Sequence, residues 1–431
     1  MTFCLNSFIL YSMNLNQIKK PVCIVGLGKS GNSAYQFLLA AGLAPNDVIT
    51  FDQKDSSAQL KQWSELDLIS VGTLVVSPGV PLKSPEIQAL IKKGWAITSE
   101  INLATSVLNS EKVIGITGSV GKSTVTSLLG TAVLQDDHHA FVGGNLGTPF
   151  CDYALKILKG GSRANWIVLE LSSYQLENSN NLKLEYSAIT YLSPNHLERY
   201  GSLDEYYLTK CQIGKMSAKG CVINSESKDL IKYQNKISGQ IWPTVIRDVS
   251  ISLIGKHNQE NYLLAEKLAN LMGLSASALK AMSEFKGLAH RLETVGRWSD
   301  ILFINDSKAT AMDSVLVATE AALSQTQKTM HLLLGGKDKN LPWEQLNQLK
   351  NNNRIQIYFF GHCAELAKQK SGLPGEVFTN LDLACQAVFK SATAKDVVLL
   401  SPGGTSLDQF KNFEERGQYF KDLIVKFYSE K

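Results

Sequence analysis

The sequence has no CxxC pair, no long apolar run and no block of like charge, and each absence removes a class of protein. Its seven cysteines (Cys4, Cys23, Cys151, Cys211, Cys221, Cys363 and Cys385) are scattered and odd in number, which fits neither a disulfide framework nor a zinc ribbon. They read as reduced, buried thiols of a cytoplasmic protein. No stretch approaches the ~20 apolar residues of a membrane span. The early run Phe8-Ile9-Leu10-Tyr11 has no basic residue ahead of it and no small-residue cleavage pattern behind it, so no signal peptide is expected. With 43 basic against 39 acidic residues and a net charge of +4, nothing forms the basic stripe that a nucleic-acid partner requires. Met13 directly precedes the first recognisable strand, so the opening twelve residues read as an extension or a start-codon artefact.

A chain of 431 residues, 44% of them hydrophobic, is too long for one ordinary core. Short β-branched runs alternate with helical stretches: PVCIVG, DVITFD, TLVVSPG, KVIGITG, NWIVLELSS, SAITYLS, ILFIND, MHLLLGG, RIQIYFFG and DVVLLSPGG. That alternation predicts an α/β protein with parallel, doubly wound sheets. Polar residues collect where strands end, and in open parallel sheets ligands bind at the carboxyl ends of strands. Breaks near Asn109 to Lys112 and Gly287 to Trp298 predict an N-terminal extension over 1–16 and three domains over 17–109, 110–287 and 288–431. No internal repeat, heptad pattern or low-complexity tract is present.

The strongest local signal is Gly115-Ile-Thr-Gly118-Ser-Val-Gly121-Lys122-Ser123-Thr124, between the strand KVIGI and the helical run TVTSLLGTAVL. Such a loop cradles phosphate with backbone N–H groups and a helix N-terminus. Lys122 can reach the β and γ phosphates, and the Ser123 hydroxyl can bind Mg²⁺. The glycine spacing departs from the common phosphate loop, because Gly115 falls one residue early. A second glycine turn, Gly26-Leu-Gly28-Lys-Ser-Gly31, follows the first strand, and Asp52 ends the next strand about twenty residues on. Taken alone it suggests a dinucleotide fold and an NAD-dependent oxidoreductase, but the same turn holds any diphosphate, including that of a UDP-sugar.

Other candidates are weaker one at a time. The second strand of the central region, WIVLELSS, ends at Glu170, where a carboxylate can serve a metal beside the phosphate. Downstream lie His196 and Lys210, either of which alone reads more simply as structural. The last region offers Asn305 to Thr310, Gly335 to Lys339 and Ser406 to Phe413. These are three polar clusters at strand ends, suited to a small dicarboxylate.

With GITGSVGKST, LELSSYQLE, HLERY followed by a lysine, IGKHNQEN, GLAHRLE, INDSKAT, LLLGGKDK and SPGGTSLDQFKNFEERG, the chain resembles the Mur ligase family from about Pro21 to Gly417. The last piece is most like the D-glutamate-adding branch, and the Asp-Asn-Pro-Arg loop expected of diaminopimelate-adding members is absent. The resemblance implies an N-terminal Rossmann-like domain for uridine nucleotide, a central P-loop ATPase domain and a C-terminal Rossmann-like domain for the amino acid. It implies an ATP-dependent ligase that joins D-glutamate to UDP-N-acetylmuramoyl-L-alanine in peptidoglycan precursor synthesis, working as a monomer.

By that similarity Gly28, Lys29, Ser30, Asp52, Ser77, Pro78, Gly79 and Asn145 would hold the UDP-substrate. Gly118, Ser119, Gly121, Lys122, Ser123, Thr124, Asn261, Arg291 and Asp306 would hold ATP. Lys308, Thr310, Lys339, Ser406, Leu407 and Phe413 would surround D-glutamate. Ser123, Glu170, His196 and Lys210 would serve two Mg²⁺ ions, with Lys210 carrying a carbamate; Lys122, His196 and Lys210 would be catalytic. Three positions depart from the family's pattern: Val120 and Ala311 stand where asparagine is usual, and Asn195 where aspartate is. Two rivals share parts of these motifs. A folylpolyglutamate-synthase-like ligase lacks the complete N-terminal nucleotide domain, and a non-catalytic UDP-sugar sensor would bind without consuming ATP.

Overall fold

The computed structural model describes residues 18–194 and 199–429; the extension proposed over 1–16 lies outside them. The described residues fall into two compact units. One runs to Arg247 and takes in Asn261–Met282, and the other comprises Asp248–Glu260 and the residues from Ser283 onward.

The first unit contains two sheets. β1 (Val22–Val25), β2 (Val48–Phe51), β3 (Thr73–Val76) and β4 (Ala96–Thr98) form one in the order β2-β1-β3-β4, all parallel. β5 (Lys112–Thr117), β6 (Phe141–Gly144), β7 (Trp166–Glu170), β8 (Tyr186–Ile189), β9 (Cys221–Ile223) and β10 (Ile241–Pro243) form the other, also parallel, in the order β10-β9-β8-β5-β7-β6. β1, β3, β7 and β8 read as nearly unbroken apolar runs because helices cover both faces of a parallel sheet, and their residues are almost all buried. One continuous core joins the two sheets, from Val22 and Ile24 to Ile167 and Ile189. Ser33 Oγ donates to Asp152 at 2.5 Å, and Glu100 accepts the Cys151 N–H, across that junction.

The second unit holds one sheet of β11 (Glu293–Trp298), β12 (Ile301–Asn305), β13 (Met330–Gly335), β14 (Ile355–Phe360), β15 (Glu376–Phe378) and β16 (Val397–Gly403). Their order is β11-β12-β16-β13-β14-β15. All ten sequence-predicted strands form. The prediction missed β4, β9, β10 and β15, three residues each, the glycine-ended β6, and β11. β6 makes the Glu170 strand the third of the central sheet rather than the second. β11 also breaks the all-parallel expectation, since it pairs antiparallel with β12 through a bulge at Thr294/Gly296. Each sheet reverses strand order beside a central strand, and that is where loops part to admit a ligand. The loops concerned follow β1 and β3, then β5, β7 and β8, then β12, β13 and β16.

Candidate functional site

Beside the first switch point, Gly26 closes the turn after β1 with φ 94°. Ser77 Oγ, at the end of β3, donates to the Gly26 carbonyl at 2.7 Å. Gly31 has no room for a side chain, because a Cβ there would lie 1.9 Å from the Gly26 carbonyl oxygen. The helix Lys29–Ala40 therefore starts hard against the turn, with no acidic residue in its first turn and no side-chain cap. Its N-terminus faces a cavity of about 720 Å³ lined by Gly28, Lys29, Ser30, Asp52, Ser77 and Asn145, with Pro78 and Gly79 also on its wall. Asp52 accepts the N–H groups of Leu27 at 2.8 Å and Lys54 at 2.8 Å, and these bonds hold its carboxyl below the usual range. Asp52 thus stays ionised and fixes the glycine turn. All eight residues expected to contact the nucleotide-sugar line this one cavity.

Next to it, the loop after β5 is a phosphate cradle. Gly118 has φ 148°, and a Cβ there would meet Thr190 Oγ1 at 2.0 Å. Thr190, just past β8, donates to the Val120 carbonyl at 2.5 Å. Ser119 donates through its N–H to the Tyr191 carbonyl at 2.6 Å and through its hydroxyl to the Ser193 carbonyl at 2.9 Å. The loop is thereby pinned open around the start of the helix Lys122–Asp136, which carries Ser123 and Thr124. Lys122 Nζ folds over it, donating to the carbonyls of Gly118 and Ser119 at 2.9 Å each. A Cβ on Gly121 would meet Asn261 Oδ1 at 2.5 Å, so the first unit brings Asn261 to the loop.

Glu170, at the end of β7, is buried. Its Oε1 accepts from Asn145 Nδ2 at 2.6 Å, which joins the sugar-side cavity to the phosphate loop. Its Oε2 is buried without a hydrogen-bond partner among the described residues, an arrangement that costs free energy unless a cation completes it. Lys210, near the end of the helix Leu203–Cys211, is 1% exposed. Its amine lies 4.7 Å from the Tyr206 ring centroid. Burial first, and the Lys122 charge second, depress its pKa well below the ordinary lysine value, with Glu170 opposing. Among the described residues no three His, Cys, Asp or Glu side chains cluster as metal ligands. The oxygen donors are Ser123 and Glu170, with Lys210 beside them. His196 and Asn195 lie outside the described residues.

The second unit gathers its own candidates. Asp306, just past β12, accepts the Leu292 N–H at 3.2 Å and the Ser401 hydroxyl at 2.9 Å. Burial raises its pKa to about 7 despite those bonds and the nearby Arg291 charge. Arg291 itself sits between two strained residues, His290 at φ 63° and Leu292 at φ 43°, and strain of this kind concentrates at functional sites. Lys308 Nζ stands 4.6 Å from the Phe413 ring, so those two predicted residues meet. Thr310 and Lys339 are exposed on loops after β12 and β13, Ser406 is buried, and Leu407 is exposed.

Arg416, which the sequence reading did not single out, holds this cluster together with Ser307 of the predicted polar run. Arg416 is fully buried, donating to Ser307 Oγ at 3.1 Å, the Ser307 carbonyl at 2.8 Å and the Gly404 carbonyl at 3.1 Å. Ser307 Oγ donates to the Phe413 carbonyl at 2.8 Å. The signal for Arg416 was available: it shares the apolar stripe of Phe420 and Ile424 on the helix Phe413–Ser429, at i+4 and i+8.

Residues 116–243 match the model of the Mur ligase middle domain, and 20–99 that of the Mur ligase MurD-like N-terminal domain. The UDP-N-acetylmuramoylalanine–D-glutamate ligase of Acidobacterium capsulatum is 34% identical, with 94% of this chain and 96% of that protein aligned. The ligase of the same name from Yersinia pseudotuberculosis is 34% identical over 94% and 98%. Among solved structures, the MurF ligase of Thermotoga maritima in complex with ADP superposes with a TM-score of 0.60 at 15% identity, covering 96% of this chain and 97% of that one. The MurC ligase of the same organism gives 0.58 at 16% identity, over 96% and 100%. At such identities these structures support the fold alone.

Proposed function

This chain belongs to the Mur ligase family, and from that premise we propose how its residues divide the work. It is an ATP-dependent ligase that forms the amide bond between UDP-N-acetylmuramoyl-L-alanine and D-glutamate in peptidoglycan precursor synthesis. The observation that carries the division of labour is the convergence of Lys122, Glu170 and the neutral-leaning Lys210 amine at the phosphate loop, one hydrogen bond from the sugar-side cavity through Asn145.

A carboxylate is a poor acyl donor. The L-alanine carboxylate attacks the γ-phosphorus of ATP, giving an acyl phosphate and ADP, and the amine of D-glutamate then displaces phosphate from the acyl carbon. The residues contribute position and charge. The helix Lys29–Ala40 takes the diphosphate at its N-terminus, and Asn145 guides the peptide end toward Glu170. Gly118 to Thr124 hold the ATP phosphates, Lys122 neutralises the transferring group, and Asn261, Arg291 and Asp306 contact ATP. Lys308, Thr310, Lys339, Ser406, Leu407 and Phe413 receive D-glutamate. His196 acts beside the γ-phosphate.

The Glu170 oxygen that has no partner among the described residues, with the Ser123 hydroxyl, suits a hard divalent cation. Mg²⁺, two ions in our reading, would supply charge neutralisation for the phosphoryl group. An unprotonated amine is the form that adds carbon dioxide, releasing a proton, and burial shifts Lys210 toward that form. Lys210 would then present two carbamate oxygens where an ammonium would repel the metal. We further propose a cytoplasmic monomer with domains over 17–109, 110–287 and 288–431. Among the described residues no helix is long and apolar enough to cross a membrane.

The test is phosphate release from ATP with UDP-N-acetylmuramoyl-L-alanine and D-glutamate, L-glutamate or no amino acid. Release that depends on D-glutamate and accompanies a ligated product is expected. No release under all three conditions would reject the reading.

A further inference from the structure

Arg199 is absorbed by none of the roles above, yet it is one of the best-held side chains of the first unit. It is nine-tenths buried, and its guanidinium makes bonds to two separate parts of that unit. Nη1 donates to the Pro78 carbonyl at 2.9 Å, and Nη2 donates to Glu177 Oε2 at 2.9 Å and, more weakly, to the Val80 carbonyl at 3.4 Å. The guanidinium carbon lies 4.0 Å from the Tyr174 ring centroid. Pro78 and Val80 belong to the turn after β3 that walls the 720 Å³ cavity. Tyr174 and Glu177 belong to the segment that leaves β7 just beyond Glu170. A row of rings continues from there: Tyr174 to Tyr200 at 6.1 Å, and Tyr200 to Tyr206 at 5.3 Å. Tyr206 donates its hydroxyl to Ser119 Oγ at 3.2 Å and lies under the Lys210 amine.

We propose that Arg199 is a positioning residue for ligation: it sets the register between the nucleotide-sugar turn at Ser77–Gly79 and the phosphoryl-transfer residues Ser119, Glu170 and Lys210. The proposal rests on the reading of that turn as a nucleotide-sugar contact. Arg199 touches neither cavity interior nor phosphate loop, so it acts through the elements it brackets. A planar fork bonded at both tips and stacked on a ring fixes distance and angle together, which an ammonium on a flexible stem does not. The neighbouring ion pair Lys83–Glu205 ties the same turn to the helix Leu203–Cys211, but Lys83 is largely exposed and adds little. The acyl carboxylate must meet the γ-phosphorus within a narrow range, and a shift of about 1 Å at that step costs about a hundredfold in rate. The two ligands would still bind separately when the bracket is lost.

The experiment compares Arg199→Ala and Arg199→Lys with the unaltered full-length chain. Calorimetry measures UDP and a non-hydrolysable ATP analogue separately, and steady-state assays give kcat for ligation. Expected for Arg199→Ala are UDP and nucleotide affinities within threefold of the unaltered chain and a kcat at least thirtyfold lower, with Arg199→Lys recovering only a small part. A kcat within twofold overturns the proposal. So does a fall in kcat matched by an equal fall in either affinity or in folded fraction, since that marks a local structural role. Asp52→Ala, run alongside, separates two failures. UDP affinity kept in Asp52→Ala rejects the cavity assignment itself, whereas UDP affinity lost there with normal kcat in Arg199→Ala rejects the register alone.

Discussion

Among the described residues each compact unit buries one cation completely, Lys210 in the first and Arg416 in the second, and the two are treated in opposite ways. Arg416 of the second unit spends its nitrogens on the Ser307 hydroxyl, the Ser307 carbonyl and the Gly404 carbonyl. Burial pulls its pKa down only to about 10, so it stays charged. Lys210 of the first unit is placed against an aromatic ring, close enough to Lys122 to feel its repulsion, and its ammonium form is disfavoured. A buried charge with its hydrogen bonds satisfied is a fastening. A buried amine held away from its charged form is poised for chemistry. The difference gives the arginine a structural part and is the contrast on which the proposed reactive part of Lys210 rests.

Substitution separates the two most sharply. Lys210→Ala is expected to lower ligation about a thousandfold while leaving the thermal midpoint nearly unchanged, since it deletes an amine whose burial was costly. Added short carboxylic acids should restore part of the rate if a carbamate is what the lysine supplies. Arg416→Lys should do the reverse in kind, destabilising the second unit by about 3 kcal/mol, because an ammonium cannot reach Ser307 and Gly404 at once. Denaturant unfolding of the two variants checks both statements, and equal loss of stability in the two would erase the distinction.

A buried carboxyl sharpens the same contrast at a smaller scale. Glu100 accepts the Cys151 N–H at the start of the helix Phe150–Leu158, yet burial raises its pKa from 4.5 to about 7. Between about pH 4.5 and about pH 7 the folded chain therefore holds a proton that the unfolded chain releases. Stability from this group is complete below about pH 4.5 and is lost as pH rises through about 7. Glu100→Gln should remove that slope and raise stability at pH 8 by about 2 kcal/mol, allowing for the weaker acceptor an amide offers. Thermal melts of both chains from pH 5 to pH 8 would show the curves diverging; parallel curves would mean that Glu100 stays ionised.

What the sequence made legible follows the range of the interactions involved. The phosphate loop and the turn Gly26 to Gly31 were readable because their strand–turn–helix order is local, although the atoms that exclude a side chain at Gly118 and Gly121 belong to the distant Thr190 and Asn261. Ten of the twelve strands with four residues or more were readable because burial leaves unbroken apolar runs, whereas β6 ends in two glycines and β11 is only half-buried. Three-residue strands such as β9 and β15 carry too few positions for any pattern. Lys210 gave no sign of its burial, since the helix Leu203–Cys211 shows little amphipathic order. Arg199 was illegible for a related reason: its partner Pro78 lies 121 positions away.

The smallest expected effect concerns the departure that the sequence made most conspicuous. Val120 stands where the family resemblance leads one to expect asparagine, and half of its surface is exposed at the lip of the phosphate loop. The loop's shape there comes from backbone: the Val120 carbonyl accepts the Thr190 hydroxyl, and Gly118 and Gly121 supply the positive φ angles. An exposed side chain that shapes nothing around it contributes little to stability, so Val120→Asn should change the unfolding free energy by less than about 0.5 kcal/mol. Its amide would add one polar contact near the nucleotide, and a gain of about threefold in kcat/KM for ATP corresponds to under 1 kcal/mol, the size of one ordinary hydrogen bond. A gain of a hundredfold would mean that the valine, rather than the backbone, limits how this loop holds phosphate.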